Sequence, residues 1–138
     1  MGSMMSTRFE SIASSTTGQN IPESVLNLKQ DDYRRLADDT LELISTDLED
    51  FFEDKNILDA DVENSAGILT INTTKGIYVI NKQPPNKQLW LSSPLSGPKR
   101  FDYLDKQWKC MRNNRKLYDI LKEEVNQIFG DFQFSEEF

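Results

Sequence analysis

The sequence predicts an α+β, two-layer sandwich, in which two helices pack on one face of an antiparallel sheet of about five or six strands. Three observations support this fold class: a helical pattern near each end of the chain, a run of short β-patterned segments between them, and turn-forming residues between those segments. Consecutive strands joined by tight turns form an antiparallel meander, and helices on one of its faces bury the apolar side.

The first helical pattern covers residues 30–52, where apolar side chains recur at steps of three and four residues. That period is typical of an amphipathic helix with one buried face. Asp31 and Asp32 stand near its start, where the helix dipole favours negative charge. At about 100° per residue, four carboxylates share a narrow sector opposite the apolar stripe and two more flank it. The four are Asp38, Glu42, Glu49 and Glu53, and the flanking pair is Asp39 and Asp50.

A run of short β-patterned segments follows this helix. The predicted strand segments are residues 61–63, 68–73, 76–81, 88–92, 101–103 and 107–110. Turn-forming residues separate them, including an Asn-Ser-Ala-Gly stretch at 64–67 and two prolines at 84–85. Side chains alternate along a strand, so Leu89 and Leu91 share one face of the sheet and Trp90 lies on the other.

The second amphipathic helix is predicted over residues 116–129, with Asn114 as its N-cap and Gly130 as its C-terminal stop. The opening Met-Gly-Ser-Met is typical of a cloning remnant, and the Ser- and Thr-rich stretch after it predicts a flexible tail. That stretch lacks the pattern of a transit peptide, so we expect any targeting sequence to be absent from this chain. The predicted boundaries are 1–20 for the N-terminal tail, 21–130 for the domain and 131–138 for a C-terminal tail.

The composition excludes several classes of protein. A chain of 138 residues with 37% hydrophobic and 28% charged residues fits one globular domain. No apolar run approaches the roughly 20 residues that cross a bilayer, so an integral membrane protein is excluded. With Cys110 as the single cysteine and no histidine, Cys/His zinc sites, His-based triads and an intramolecular disulfide are excluded as well. Any metal chemistry must therefore use oxygen ligands.

Charge is distributed unevenly along the chain, whose net charge is −7. Residues 31–63 contain thirteen acidic and three basic side chains, a net −10, whereas residues 75–116 contain ten basic and two acidic side chains, a net +8. This asymmetry favours two distinct binding surfaces over a uniform solubilising coat. Nucleic-acid binding through the basic stretch is disfavoured by its mixed spacing and by an isoelectric point of about 4.6.

Residues 78–102, YVINKQPPNKQLWLSSPLSGPKRFD, closely resemble the signature of eukaryotic frataxins. The resemblance extends over about residues 22–129 and includes the acidic first helix and the helix–strands–helix order. The fungal branch of the family is the most similar. This resemblance implies the frataxin-like fold and residence in the mitochondrial matrix. It also implies binding to the complex of cysteine desulfurase and the iron–sulfur scaffold protein, where the family promotes transfer of persulfide sulfur to the scaffold.

The first candidate site is an acidic ridge on the first helix and the first strand after it. Hard cations such as iron prefer oxygen ligands, so an open carboxylate surface predicts weak binding of several ions. The alternative is a solvated helix face that binds nothing. The resemblance implies iron binding, with iron-driven oligomerisation of a monomer in some members, at positions that match carboxylates here. These are Asp38, Asp39, Glu42, Glu49, Asp50, Glu53, Asp61 and Glu63.

The second candidate site is a partner-binding patch around Trp90. A Trp among polar side chains and an Arg has the composition of an interface hot spot. The predicted patch comprises Asn81, Lys82, Gln83, Gln88, Trp90, Lys99 and Arg100. The resemblance implies that five of them contact the scaffold and the desulfurase, namely Asn81, Gln83, Gln88, Trp90 and Arg100. The alternative for Trp90 is a core position, which we expect instead for Trp108.

Two functions remain as hypotheses. The first is an iron-binding activator of mitochondrial iron–sulfur cluster assembly. The second is an iron chaperone or ferroxidase that oxidises, stores or delivers iron through the acidic ridge. We predict no catalytic residue, because the chain offers no nucleophile–base pair and no group that would activate the thiol of Cys110.

Overall fold

The computed structural model describes residues 12–14, 20–22 and 27–138, and of residues 12–14 and 20–22 only the backbone. The helices are α1 (Gln30–Asp54) and α2 (Leu117–Ile128), and a short 3-10 helix covers Pro84–Asn86. The strands are β1 (Ile12–Ser14), β2 (Asn20–Pro22), β3 (Asp61–Ser65), β4 (Ile68–Thr73), β5 (Gly76–Gln83), β6 (Gln88–Ser93), β7 (Gly97–Leu104) and β8 (Gln107–Lys109). Strands β3 to β8 form one antiparallel meander in chain order, so the predicted fold class is confirmed.

The N-terminal tail predicted over residues 1–20 lies mostly outside the described residues. At its end, β1 pairs antiparallel with β2, of which only Asn20 belongs to the predicted tail, in a separate two-stranded sheet that the sequence analysis does not predict.

Helix α1 buries the predicted apolar stripe and leaves its carboxylates at the surface. Four residues of this stripe have no exposed surface and Leu41 has almost none; the four are Tyr33, Ala37, Ile44 and Leu48. No side chain caps the N-terminus of the helix, but Asp31 and Asp32 occupy its first turn. The packing of this one face against the sheet therefore supplies most of the stabilisation of α1.

The turn between β3 and β4 is shorter than the predicted 64–67 segment. Asn64 and Ser65 pair within β3, and only Ala66 and Gly67 form the turn. Their φ angles of 53° and 79° place both residues in the left-handed region. Two such residues in succession form the hairpin turn whose twist matches that of the flanking strands.

Trp108 is a core residue, as predicted, and it ties the sheet to α1. Its side chain is fully buried, and its indole N–H donates to the Oγ1 of Thr40 at 2.9 Å. Cys110 is also buried, with 7% of its surface exposed. The polar edge of this aromatic side chain is thus satisfied inside the core, as buried tryptophans require.

The limits of α2 are close to the prediction, but its predicted N-cap is wrong. Lys116 precedes the helix without a side-chain cap, and Asn114 lies in the preceding loop with a φ angle of 60°. The backbone N–H of Asn114 donates to the carbonyl of Cys110, so this residue closes a turn. Gly130 ends the helix as predicted, with a φ angle of 82° that favours glycine.

Residues 131–138, which the sequence analysis places outside the domain, bridge the two helices. The Phe132 ring lies 5.0 Å from that of Phe51 on α1, and the Phe138 ring lies 5.3 Å from that of Tyr118 on α2. The N–H and hydroxyl of Ser135 both donate to the carboxylate of Asp47, at 2.7 and 2.9 Å. Three buried side chains of this segment therefore extend the core: Phe132, Phe134 and Phe138.

Replacing Phe132 by Ala should lower the free energy of unfolding by about 3 kcal/mol, because it leaves a cavity among aromatic rings. Urea unfolding followed by circular dichroism measures this loss. The matched control is Gln133→Ala, which truncates an exposed neighbour and should change stability by less than about 0.5 kcal/mol. Equal effects of the two substitutions would contradict a role of this segment in the core.

Candidate functional site: the open face of the sheet and the acidic ridge

The face of the sheet opposite the helices carries a row of side chains centred on Trp90. In the strand register, Ile68 on β4 pairs with Asn81 on β5, Asn81 with Trp90 on β6, and Trp90 with Arg100 on β7. Leu89 and Leu91, the neighbours of Trp90 along β6, are buried on the helix side. Alternation therefore directs Trp90 away from the helices, where it is half-buried, as the sequence predicts.

A second row lies two residues further along the strands, next to the turn between β5 and β6. Gln83 on β5 pairs with Gln88 on β6, and Gln88 pairs with Asp102 on β7. Together the two rows bring five of the predicted partner-binding residues onto one surface, which we call the open-face patch. The open-face patch consists of Asn81, Gln83, Gln88, Trp90 and Arg100.

Contacts on two sides hold the Trp90 ring in place. Its indole N–H donates to the Oε1 of Gln88 at 2.8 Å, and the Nε2 of Gln88 donates to the Oδ1 of Asp102 at 3.2 Å. The Cζ of Arg100 lies 5.0 Å from the Trp90 ring centroid, within the range of a cation–π contact. These contacts fix the orientation of the Trp90 side chain.

Tyr33 of α1 supports the patch from the helix side. Its hydroxyl donates to the carbonyl of Gln88 at 2.7 Å and accepts from the N–H of Gln83 at 3.0 Å. Burial raises the pKa of Tyr33 to about 12, so the hydroxyl remains protonated and keeps both hydrogen bonds at neutral pH. Sequence analysis identified Tyr33 only as an apolar helix position, because a 3.6-residue period does not show what a phenol contacts across the fold.

Lys82 and Lys99, the other two residues of the predicted patch, lie outside the two rows of the open face. In the register, Lys82 pairs with Leu89 and Lys99 with Leu91, which are positions on the helix side. The Nζ of Lys82 forms an ion pair with Asp38 of α1 at 2.6 Å. The Nζ of Lys99 donates to the carbonyl of Ser96 at 2.7 Å, in the turn before β7.

The acidic ridge on α1 is exposed, and little of it is paired. Asp38 binds Lys82, and Glu42 accepts long contacts of 3.5 Å from Asn64 and Thr46. The other four carboxylates of the predicted ridge on α1 have no hydrogen bond or ion pair within residues 27–138. They are Asp39, Glu49, Asp50 and Glu53.

The β3 carboxylates lie on a different side of the edge strand from the helix carboxylates. Asp61 and Glu63 pair in register with Asn72 and Thr70, which alternate with the buried residues of β4. Asp61 also accepts a hydrogen bond from Asn72 at 2.8 Å. Within residues 27–138, no group of three or more acidic or thiol side chains converges on a point where one metal ion could be held. The ridge suits iron by the chemistry of its oxygen donors, as an open surface and not as a closed cage.

Asp102 is a component of the site that sequence analysis missed. It is 6% exposed, and this burial raises the pKa of its carboxyl group, while the hydrogen bond from Gln88 opposes the shift. The available signal was strand alternation, since Asp102 lies two residues after Arg100 and therefore on the same face.

Comparison with known proteins shows which protein family this chain belongs to. The Frataxin-like domain family matches residues 26–131, and the chain belongs to this family. It is 49% identical over 123 residues to "Frataxin homolog, mitochondrial" of Saccharomyces cerevisiae, covering 88% of this chain and 71% of that protein. It is 42% identical over 113 residues to the protein of the same name from Schizosaccharomyces pombe, covering 78% of this chain and 72% of that one. The predicted resemblance to frataxins is thereby confirmed.

Solved structures agree with this assignment. The fold matches that of yeast frataxin with a TM-score of 0.65 and 50% identity, over 87% of this chain and 98% of that one. It also matches a trimeric frataxin from Saccharomyces cerevisiae described as complexed with ferrous, with a TM-score of 0.62 and 45% identity, over 80% of this chain and 100% of that one. In the described part of the chain, neither helix has the length and apolar character needed to cross a bilayer.

Replacing Asp102 by Asn should stabilise the protein at neutral pH. Burial raises the pKa of Asp102 in the folded state above its ordinary value, so the folded state binds more protons than the unfolded state between those two pKa values. The contribution of Asp102 to the free energy of unfolding therefore falls as the pH rises through that window. Asparagine does not ionise, so the substitution removes this decrease. Thermal unfolding from pH 4 to pH 7 should show a difference between variant and wild type that grows with pH.

The control is Asp105→Asn, which removes the same charge from an exposed side chain. Asparagine tolerates the left-handed backbone at this position. We expect its stability to stay within about 0.5 kcal/mol of wild type at every pH. A pH-independent effect of Asp102→Asn would show that burial of the charge is not what costs stability.

Proposed function

We propose that this protein activates iron–sulfur cluster assembly in the mitochondrial matrix by binding the complex of cysteine desulfurase and the iron–sulfur scaffold protein. In this role it promotes transfer of persulfide sulfur to the scaffold. Membership of the frataxin-like family supports the proposal, as does the mitochondrial naming of the yeast relatives. The single observation that carries it is the orientation of Trp90 on the open face of the sheet.

An oriented Trp90 is suited to partner binding for an energetic reason. Ordering a free side chain at an interface costs about 0.5–1.5 kcal/mol, and the contacts of Gln88 and Arg100 meet that cost before binding. Large aromatic side chains surrounded by polar groups commonly dominate the affinity of an interface. The amides of Asn81 and Gln83, on the neighbouring strand, add hydrogen-bonding groups beside the ring.

The role is regulatory and not chemical. Cys110 is the only cysteine of the chain, and it is buried and has no histidine to activate it. The sulfur-carrying thiols would therefore belong to the partners. By binding one conformation of the assembly complex more tightly than others, the open-face patch would shift the complex towards the state in which transfer is fast.

Replacing Trp90 by Ala should abolish stimulation of desulfurase-coupled cluster formation and weaken binding to the complex at least tenfold. The expected reason is the loss of a hot-spot side chain, which typically costs at least about 2 kcal/mol of binding energy. Sulfide production with purified desulfurase and scaffold measures the stimulation, and calorimetry measures the affinity.

Leu58→Ala is the matched control for this substitution. It truncates another large apolar side chain, 87% exposed, in the segment between α1 and β3 and outside the open-face patch. This variant should stimulate like wild type. An unchanged rate with Trp90→Ala would overturn the proposed docking surface.

A second candidate function is iron handling by the acidic ridge, as an iron chaperone or a ferroxidase that oxidises Fe2+ to Fe3+. The specific observation in its favour is the turn of α1 that carries Glu49, Asp50 and Glu53, which are exposed and unpaired within residues 27–138. Glu49 and Glu53 are four residues apart and therefore neighbours on the helix surface, where like charges repel and a cation would relieve the repulsion. Iron is here the cargo, weakly held by these carboxylates and water, and it would drive a monomer to oligomerise.

Combined replacement of Glu49, Asp50 and Glu53 by Ala should slow oxidation of ferrous iron under air at least threefold and abolish iron-induced oligomers. Absorbance of the ferric product gives the rate, and light scattering gives the oligomeric state. The control removes three exposed carboxylates elsewhere, as Asp105→Asn, Glu136→Gln and Glu137→Gln together. If both triple variants oxidise iron at the wild-type rate, the ridge takes no part in the reaction.

A further inference from the structure

A cavity of about 590 Å³ opens beside Trp90. It lies between the open face of β6 and β7 and the segment 110–113, which leads from β8 towards α2. Its lining includes Trp90, Asn113 and the buried carboxylate of Asp102, together with three cationic residues, Lys99, Arg100 and Arg112. The cavity is thus continuous with the open-face patch, and Asp102 is the one acidic side chain among the described residues of its lining, where none of the three cationic residues forms an ion pair with it.

Asp102 has no cationic partner within residues 27–138. Its one hydrogen bond comes from the neutral amide of Gln88, at 3.2 Å. Lys109 is opposite Asp102 in the register of β7 and β8, yet its Nζ binds Asp105 at 3.2 Å. The guanidinium of Arg100 stacks on Trp90. A buried carboxylate without a cation is unfavourable, so this arrangement calls for a group that enters from outside.

We infer that this cavity is a subsite for a cationic side chain, a lysine or an arginine, of the protein that docks on Trp90. The inference rests on the proposed function, because it assigns a specific contact to the same surface. A long cationic side chain suits the cavity because its apolar stem can pass along the Trp90 ring while its charged end reaches Asp102. The resulting hydrogen bond between two charged groups would be of the strong class.

The cavity can be tested without any partner protein. Wild-type protein is titrated with N-acetyl-lysine methylamide and, in parallel, with the uncharged N-acetyl-norleucine methylamide, at constant ionic strength. Amide NMR signals of Gln88 and of residues 110–113 should shift with millimolar affinity for the lysine probe and at least threefold more weakly for norleucine. Equal responses to the two probes would overturn the inference on wild-type protein alone.

Two variants sharpen this titration. Asp102→Asn keeps the shape of the side chain and an oxygen that accepts from Gln88, and it should lose the preference for the lysine probe. Asp105→Asn removes an exposed charge and should keep that preference. Equal loss in both variants would show only a general effect of charge and would also overturn the inference.

Binding to the desulfurase–scaffold complex separates the inference from the proposed function. Asp102→Asn should bind the complex at least tenfold more weakly than Asp105→Asn, with the indole N–H NMR signal of Trp90 unchanged in the free protein. If Asp102→Asn binds like wild type, the subsite is overturned while the docking surface stands. If wild-type protein itself does not bind the complex, the proposed function fails, and the lysine titration still decides whether the cavity takes a cation.

Discussion

The position of the open-face patch depends on the burial of the opposite face of the sheet. Leu89 and Leu91 have almost no exposed surface, because the helices cover that side of β6. A shift of β6 by one residue would exchange its two faces and place Trp90 in the core. The register is therefore strongly specified, and the same constraint that stabilises the fold directs Trp90 and Arg100 to the open face. Packing on one side thus determines which residues are offered for binding on the other.

Local patterns account for what could be predicted from the sequence. The period of α1, the alternation along β6 and the turn chemistry around Gly67 each depend on neighbours in the chain, and each was found close to its predicted position. The meander order follows from those short connections. The resemblance over residues 78–102 then identified the family, which sequence periodicity alone could not do.

What could not be predicted depends on contacts between distant segments. Phe132 and Phe134 follow Gly130 in a short segment without helical or strand periodicity, and only the groove between the helices explains their burial. Lys82 lies on the helix side by strand alternation, but the ion pair of its ammonium with Asp38 of α1 depends on a contact across the fold.

Unfavourable electrostatics coincide with both candidate sites. Asp102 is a carboxylate buried beside Trp90 without a cation in the described part of the chain, and Glu49 and Glu53 are like charges one helical turn apart. Apolar or neutral residues at these positions would increase stability, since each site now opposes folding through desolvation or repulsion. Elsewhere the described structure satisfies its buried polar groups, as Trp108 does with Thr40, so these costs are local. Such a loss of stability is typical of surfaces whose charges are neutralised by a ligand. The same reasoning therefore supports both proposals, a cationic side chain of a partner protein at Asp102 and a metal cation at the acidic ridge.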